Sequence, residues 1–260
     1  MKTLIFKSAQ QAEQKASSLI MEMVRAKPDC ILGLATGGTM ERVYENIVAE
    51  YQKGGVSFAS VQSFNLDEYV GLAPSHPSSY HTYMKEALFK HIDIQTQNTH
   101  LPKGDAADPV AAADAYEALI ETSGGIDLQL LGIGKNGHIG FNEPTSSLRS
   151  RTRVKTLTTS TLQANRQYFD SDEEMPHFAI TMGIESILSA RHCVLLATGE
   201  SKADAAAHMI EGPLSAICPA SALQFHQRVT VILDEAAASK LKLKHYYEQV
   251  HPAGEDRLYA

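Results

Sequence analysis

No run of apolar residues in the chain approaches the roughly 20 that a membrane-crossing helix needs, and no block of five or more basic residues interrupts its 260 positions. Membrane helices are therefore not expected. With a formal net charge of −7, nucleic acid and anionic membrane surfaces are poor partners. A small anion remains admissible, because a handful of oriented groups decides such binding. Cysteine is scarce. Cys30, Cys193 and Cys218 are widely spaced, odd in number and in no metal-ligand pattern, which argues for idle thiols in a reduced, cytoplasmic protein. The 11 histidines raise the question of a metal, but no HExxH occurs. His76 and His81 lie in a Pro/Ser-rich stretch instead of on one helix face, so no metal is expected. The opening MKTLIFKSAQ carries no long apolar core or cleavage-like signal. Neither a repeat nor a Gly/Ser- or Pro-rich linker appears, so residues 1–260 are expected to form a single domain.

What is present is ordinary in bulk, 43% hydrophobic and 20% charged, and long enough for one large α/β unit. Strand-like runs at Lys2–Phe6, Cys30–Ala35, Val56–Asn65, Ile126–Ile133, Phe178–Thr181, Cys193–Ala197 and Val229–Leu233 alternate with helical patterns. The helices are expected at Gln10–Arg25 (apolar at Ala12, Ala16, Ile20 and Met23), Met40–Tyr51, Tyr80–Phe89, Asp108–Glu121, Gly183–Ala190 and Ala236–Val250. This alternation predicts an open, doubly wound, mostly parallel sheet of the Rossmann-like kind, with helices on both faces. The polar stretch at about 150–180 breaks the rhythm. It holds Arg149, Arg151, Arg153 and Lys155, then an acidic group at Asp170, Asp172, Glu173 and Glu174. Such a stretch fits a mobile flap.

The chain is organised around Gly132–Pro144, GIGKNGHIGFNEP. A buried strand runs into three glycines that permit sharp turns, and Asn136, His138, Asn142 and Glu143 follow. A His and a carboxylate at the carboxyl end of a buried strand stand where open α/β sheets place their chemistry. Three other strands also end in polar turns. Thr36-Gly37-Gly38-Thr39 leads from strand to helix, an arrangement that aims free N–H groups at a phosphate; a plain tight turn capped by Thr39 reads equally well from these residues. Asp67 and Glu68 follow the third strand, and alternation lets only one face a cleft. Lys202 stands near a helix start, where a bound anion would offset the unfavourable dipole. Carboxyl ends of such strands share one edge, so a phosphate cradle, a carboxylate, a His–Glu pair and a lysine are expected around one crevice. That set suits proton transfers on a phosphorylated substrate without a metal or cofactor. No GxSxG nucleophile context is present.

The stretches GLATGGT, FNLDEYVGL, GIGKNGHIGFNEP, SRTRVKTLT and TGESKADA resemble the glucosamine-6-phosphate deaminases over nearly the whole chain, in order and spacing. FNLDEYVGL separates that family from the related 6-phosphogluconolactonases. The resemblance implies cofactor-free conversion of D-glucosamine 6-phosphate and water to D-fructose 6-phosphate and ammonia. It implies that His138 opens the sugar ring, that Glu143 orients it, that Asp67 moves the C2 proton to C1, and that Gly37, Gly38, Thr39 and Lys202 hold the phosphate. Two positions depart from the pattern. Asn136 stands where many relatives have Asp; it can hold the His ring by hydrogen bond without adding charge. The family's phosphate-binding Arg falls on Gln167, so Arg166 is expected to substitute for it or to leave the task to Lys202. Regulated members are hexamers that bind N-acetylglucosamine 6-phosphate through positions matching Ser146, Arg153, Lys155 and Thr156. A homo-oligomer is expected, a hexamer ahead of a dimer or monomer. The alternatives are a lactone hydrolase, a deaminase of the galactosamine epimer, and a sugar-phosphate sensor. The sensor should carry a DNA-binding extension, which the sequence does not show.

Overall fold

The computed structural model describes residues 1–170 and 174–254. In chain order the strands are β1 (Lys2–Phe6), β2 (Ile31–Leu34), β3 (Gln62–Asn65), β4 (Asp67–Tyr69), β5 (Thr99–His100), β6 (Leu128–Leu131), β7 (Arg153–Thr156), β8 (Phe178–Thr181), β9 (Cys193–Ala197) and β10 (Val229–Asp234). The helices are α1 (Ala9–Ala26), α2 (Gly38–Gln52), α3 (Tyr80–Ala87), α4 (Pro109–Thr122), α5 (Thr159–Asn165), α6 (Ile184–Leu188), α7 (Ala203–Glu211) and α8 (Lys244–Val250). Seven strands form one open sheet in the order β1-β10-β9-β6-β2-β3-β5, parallel throughout. Strands β2, β6, β9 and β10 are buried at every residue. Both sheet faces are therefore covered, as parallel sheets require. No helix among the described residues is long and apolar enough to cross a membrane.

Local chemistry sets the helix starts. Ser8 caps α1 by accepting from Gln11 N–H. Its buried stripe is Ala12, Ala16, Ile20 and Val24, with Met21 beside it. Met23, expected on that stripe, is only partly buried, because the helical repeat carries position 24 to the core instead. Asp108 caps α4, accepting from Val110 and Ala111 N–H at 3.0 Å each, with Pro109 as the first helical residue.

Three expectations change. Strand pairing at 56–65 begins only at Gln62, because Asp93 binds the Ser57 hydroxyl at 2.5 Å and the Phe58 N–H at 2.6 Å and Phe58–Val61 closes a turn. The single terminal helix at 236–250 is broken. Asp234 caps a short turn through Ala237 N–H at 2.8 Å, and the Glu211 carboxylate takes the N–H groups of Lys242 and Leu243 at 2.8 Å. Only Lys244–Val250 is then helical. The third change is a second sheet. β4, β8 and β7 pair antiparallel, so the stretch expected as a flap is sheet-bound at both ends. Its middle holds α5 and a 3-10 turn, Arg166–Tyr168. Of the acidic group, Asp172 and Glu173 lie outside the described residues, as does the tail from 255 onward. A small apolar cluster of Tyr69, Leu72, Phe141, Leu157, Phe169, Met175 and Ala179 seats this second sheet.

Candidate active site

In sheet order, β9, β6, β2 and β3 are consecutive neighbours. The four polar turns singled out in the sequence follow these four strands, so their carboxyl ends converge. A cavity of about 590 Å³ opens there, lined by Thr36, Gly37, Gly38, Thr39, Asp67, Asn136, His138 and Lys202 among others. A larger groove, about 720 Å³, runs between α1 and α2. Its polar lining is Lys, Arg, Gln, Ser, Asn and Glu50, with no histidine to pair with that carboxylate.

Gly37 sits at φ 113° and starts α2 with no side-chain cap. A side chain there would be strained, and the helix's first N–H groups remain available to an anion. Thr39, expected as a possible cap, makes no such bond. Tyr83 O–H donates to Gly37 C=O at 3.0 Å and Tyr44 O–H to Ala35 C=O at 2.5 Å, which stiffens the turn from beneath. Opposite it, Lys202 Nζ donates to Ile133 C=O at 2.7 Å. Burial lowers its pKa, and the charge of Lys135 adds to the effect. The turn that carries Lys202 is tied to the sheet by Gly199 N–H, which donates to both oxygens of Asp234 at 3.0 and 3.1 Å.

The adjacent carboxylates part company as alternation requires. Glu68 turns away and caps α3, accepting from Tyr80 N–H at 3.1 Å and His81 N–H at 3.0 Å. Asp67 lines the cavity yet is only 5% exposed. Burial and the charge of Glu68 push its carboxyl up to about 8, against weaker lowering by Phe141 N–H and the Thr181 hydroxyl.

His138 is placed by glycines. A Cβ on Gly134 would stand 2.2 Å from His138 Cε1, so the imidazole rests directly over that glycine's Cα. Gly134 N–H donates to His138 C=O at 2.9 Å and closes the loop. His138 Nδ1 lies 3.6 Å from Glu143 Oε1, an ion-pair distance and too long for a hydrogen bond. Burial alone would raise the Glu143 carboxyl. The His138 ring, the Thr161 hydroxyl and the Asn136 amide outweigh it and hold the group at about 2. Asn136 does not hold the imidazole, contrary to expectation. Its Nδ2 donates to Glu143 Oε2 at 2.7 Å, and its Oδ1 accepts from the His138 backbone N–H at 3.3 Å. The loop geometry points the amide at the carboxylate.

Arg166 is the one expected phosphate ligand that does not line the cavity. Its guanidinium donates to Asp170 C=O at 2.5 Å, because the 3-10 turn presents Gln167 and Tyr168 to the cavity in its place. Ser146, Arg153, Lys155 and Thr156 also stand outside it. Ser146 is buried behind Glu143, its N–H donating to Glu143 C=O at 3.0 Å, while Arg153 Nη1 donates to Asn142 Oδ1 at 2.9 Å. Lys155 and Thr156 continue β7. Gln167, the position on which the family's phosphate-binding Arg falls, does line the cavity, whereas sequence reasoning missed Lys135, Thr161, Asn165 and Tyr168, among others, as lining residues. Lys135 had a signal, since it sits inside the glycine-rich motif. Thr161, Asn165 and Tyr168 lie in a polar stretch whose pattern says nothing about what it covers. Among the described residues no cluster of three or more His, Cys, Asp or Glu side chains could hold a metal.

The family model for glucosamine-6-phosphate isomerases and 6-phosphogluconolactonase matches residues 6–232. The glucosamine-6-phosphate deaminase of Shewanella loihica is 55% identical over 250 residues, 96% of this chain and 93% of that one. The solved structure of a monomeric glucosamine-6-phosphate deaminase superposes with a TM-score of 0.90 at 45% identity, over 92% of this chain and 100% of that one. The 6-phosphogluconolactonase of Trypanosoma cruzi has a TM-score of 0.76 at 21% identity, over 93% of this chain and 97% of that one, a likeness of fold.

Proposed function

The chain belongs to the family of glucosamine-6-phosphate isomerases and 6-phosphogluconolactonases, and from that premise we propose how its cavity carries out the deaminase reaction. The enzyme converts D-glucosamine 6-phosphate and water to D-fructose 6-phosphate and ammonia. The observation that carries the mechanism is that Asp67 and His138, brought from different strands, line one cavity with the uncapped start of α2 and with Lys202.

The phosphate occupies the α2 N-terminus, against Gly37, Gly38 and Thr39, with Lys202 as counter-charge. Arg166 has no part in holding it. His138 takes the O1 proton and delivers one to O5, which opens the ring. Glu143, ionised at any working pH, stabilises the imidazolium that forms. Asp67 then removes the C2 proton of the open-chain amino-aldehyde and returns it at C1. One carboxylate suffices because the two carbons are adjacent. The resulting C2 iminium adds water and expels ammonia. A base with a carboxyl raised to about 8 is well matched to a weakly acidic C–H. No step needs a cofactor.

The test is ammonia release from D-glucosamine 6-phosphate, run beside hydrolysis of 6-phosphogluconolactone and ammonia release from the galactosamine epimer. Release from the gluco substrate is expected; hydrolysis of the lactone alone would replace this reading by the lactonase one, which has no use for Asp67. A regulated hexamer is a second reading, with N-acetylglucosamine 6-phosphate as effector at Ser146, Arg153, Lys155 and Thr156. It is favoured by Ser146 and Arg153 contacting the Asn142–Glu143 turn directly. Sedimentation as a monomer, the state named for the 45%-identical relative, together with a hyperbolic rate curve for this chain, would remove it. Free, buried Cys30, Cys193 and Cys218 suit the cytoplasm as the place of the reaction. The residues form a single catalytic domain in this reading.

A further inference from the structure

One contact to the His138–Glu143 pair comes from outside its own loop. Glu143 is 5% exposed and Thr161, on α5, is 6% exposed. Glu143 Oε2 is taken by the Asn136 amide. Oε1 accepts the Thr161 hydroxyl, and the same oxygen faces His138 Nδ1 at 3.6 Å. The direction of these bonds follows from proton counting. An ionised carboxylate only accepts, and a hydroxyl has one proton to give. Thr158 O–H donates to Thr161 Oγ1 at 3.1 Å, while Thr158 Oγ1 accepts Thr161 N–H at 3.3 Å as the cap of α5. The Thr161 proton is thereby left for Glu143. His138 Nδ1 is buried and has no hydrogen-bond partner among the described residues.

We propose that Thr161 is a positioning residue for the reaction: its hydroxyl holds Glu143 Oε1 so that the carboxylate stabilises the imidazole as an ion pair without hydrogen-bonding it. The ring then keeps its freedom to tip between the two sugar oxygens. A Glu143 released from Thr161 would close the 3.6 Å gap and pin Nδ1, or swing away and leave the imidazolium unsupported. Either outcome slows the chemical step and spares the phosphate contacts. The inference rests on the deaminase mechanism above, but its structural half can be tested apart from it.

Thr161→Val removes the proton and keeps the shape; Thr161→Ser keeps the proton. Losing one hydrogen bond to a charged group should lower kcat of ammonia release about 10- to 100-fold, with KM within about twofold, and Thr161→Ser should recover most of it. A Thr161→Val enzyme with kcat within about twofold of wild type would overturn the proposal. So would a serine variant as slow as the valine one, which would assign the effect to packing of the methyl group. Should Thr161→Val fail to fold, Thr161→Ala carries the same test. In a crystal structure of Thr161→Val the Glu143 carboxylate should leave its present position. An unmoved carboxylate overturns the inference whatever the substrate, whereas a wild-type enzyme inert on the amino-sugar phosphate overturns the proposed function alone.

Discussion

Gly134→Ala isolates the placement of His138 from every other property of the cavity. Gly134 is not among the glycines at positive φ, so alanine meets no backbone penalty there. The methyl group instead meets the imidazole. Its Cβ would fall 2.2 Å from Cε1 and 2.4 Å from both ring nitrogens, where ordinary contact starts at 3.4 Å. The ring must therefore retreat by about 1.2 Å, the difference 3.4 − 2.2. A misplacement of roughly 1 Å at a reacting group costs on the order of 10²-fold. Steady-state ammonia release should show kcat lower by about that factor, with a smaller change in KM, because the phosphate is gripped elsewhere. The thermal midpoint should stay close to wild type, since the ring is partly solvent-exposed and can yield. A variant retaining kcat within about threefold, with the imidazole unmoved in its crystal structure, would refute the claim that ring position over Gly134 governs the step.

Asp67 makes stability and activity depend on pH in a defined sense. Its carboxyl rises from an ordinary 3.8 to about 8 in the folded protein. Between those values the folded state keeps a proton that the unfolded chain has released. The associated stability is full below about pH 4 and is lost as pH rises through about 8. Urea midpoints should fall across that window in the wild type, and Asp67→Asn should flatten the fall; a slope unchanged by the substitution would contradict the assignment. Because the base must be ionised, kcat/KM should climb through an apparent pKa near 8, and a flat profile from pH 6 to 9 would count against Asp67 as the base. Lys202→Met should raise KM about 10- to 100-fold through loss of a charge-assisted contact, whereas Arg166→Ala should leave KM within about twofold. Equal shifts in the two variants would mean that the Arg166–Asp170 contact opens when substrate binds.

The carboxylate pair at 67 and 68 shows how far local pattern reaches. Strand alternation dictated that only one could face the crevice, and it did not name which. The start of α3, folding back from Tyr80, offers N–H groups to Glu68 and so selects Asp67. The glycine-rich turns behave in a similar way. Gly37 and the GIGKNGHIG run announce sharp backbone turns after buried strands, because few other residues permit them. That His138 lies over Gly134 is decided by how the loop closes on itself.

Period, glycine placement and the order of apolar runs were enough to determine most of the parallel sheet, most of its helices and the four turns that meet at its carboxyl edge, since these depend on short-range sterics and on burying apolar faces; the short edge strand β5 and the break in the 236–250 helix are exceptions. Three matters were decided by tertiary structure alone: the second sheet, the aim of Asn136 at Glu143, and the exclusion of Arg166 in favour of Gln167 and Tyr168. The second sheet turns on contacts between segments far apart in the chain, and the other two on how a loop and a turn close in three dimensions. β7 pairs with β8, Thr161 of α5 binds the Glu143 carboxylate in the turn after β6, and the 3-10 turn presents Gln167 and Tyr168, not Arg166, to the cavity. Local propensity carries no information about those encounters, because it is the long-range packing of Tyr69, Phe141 and Phe169 that fixes where the polar segment comes to rest.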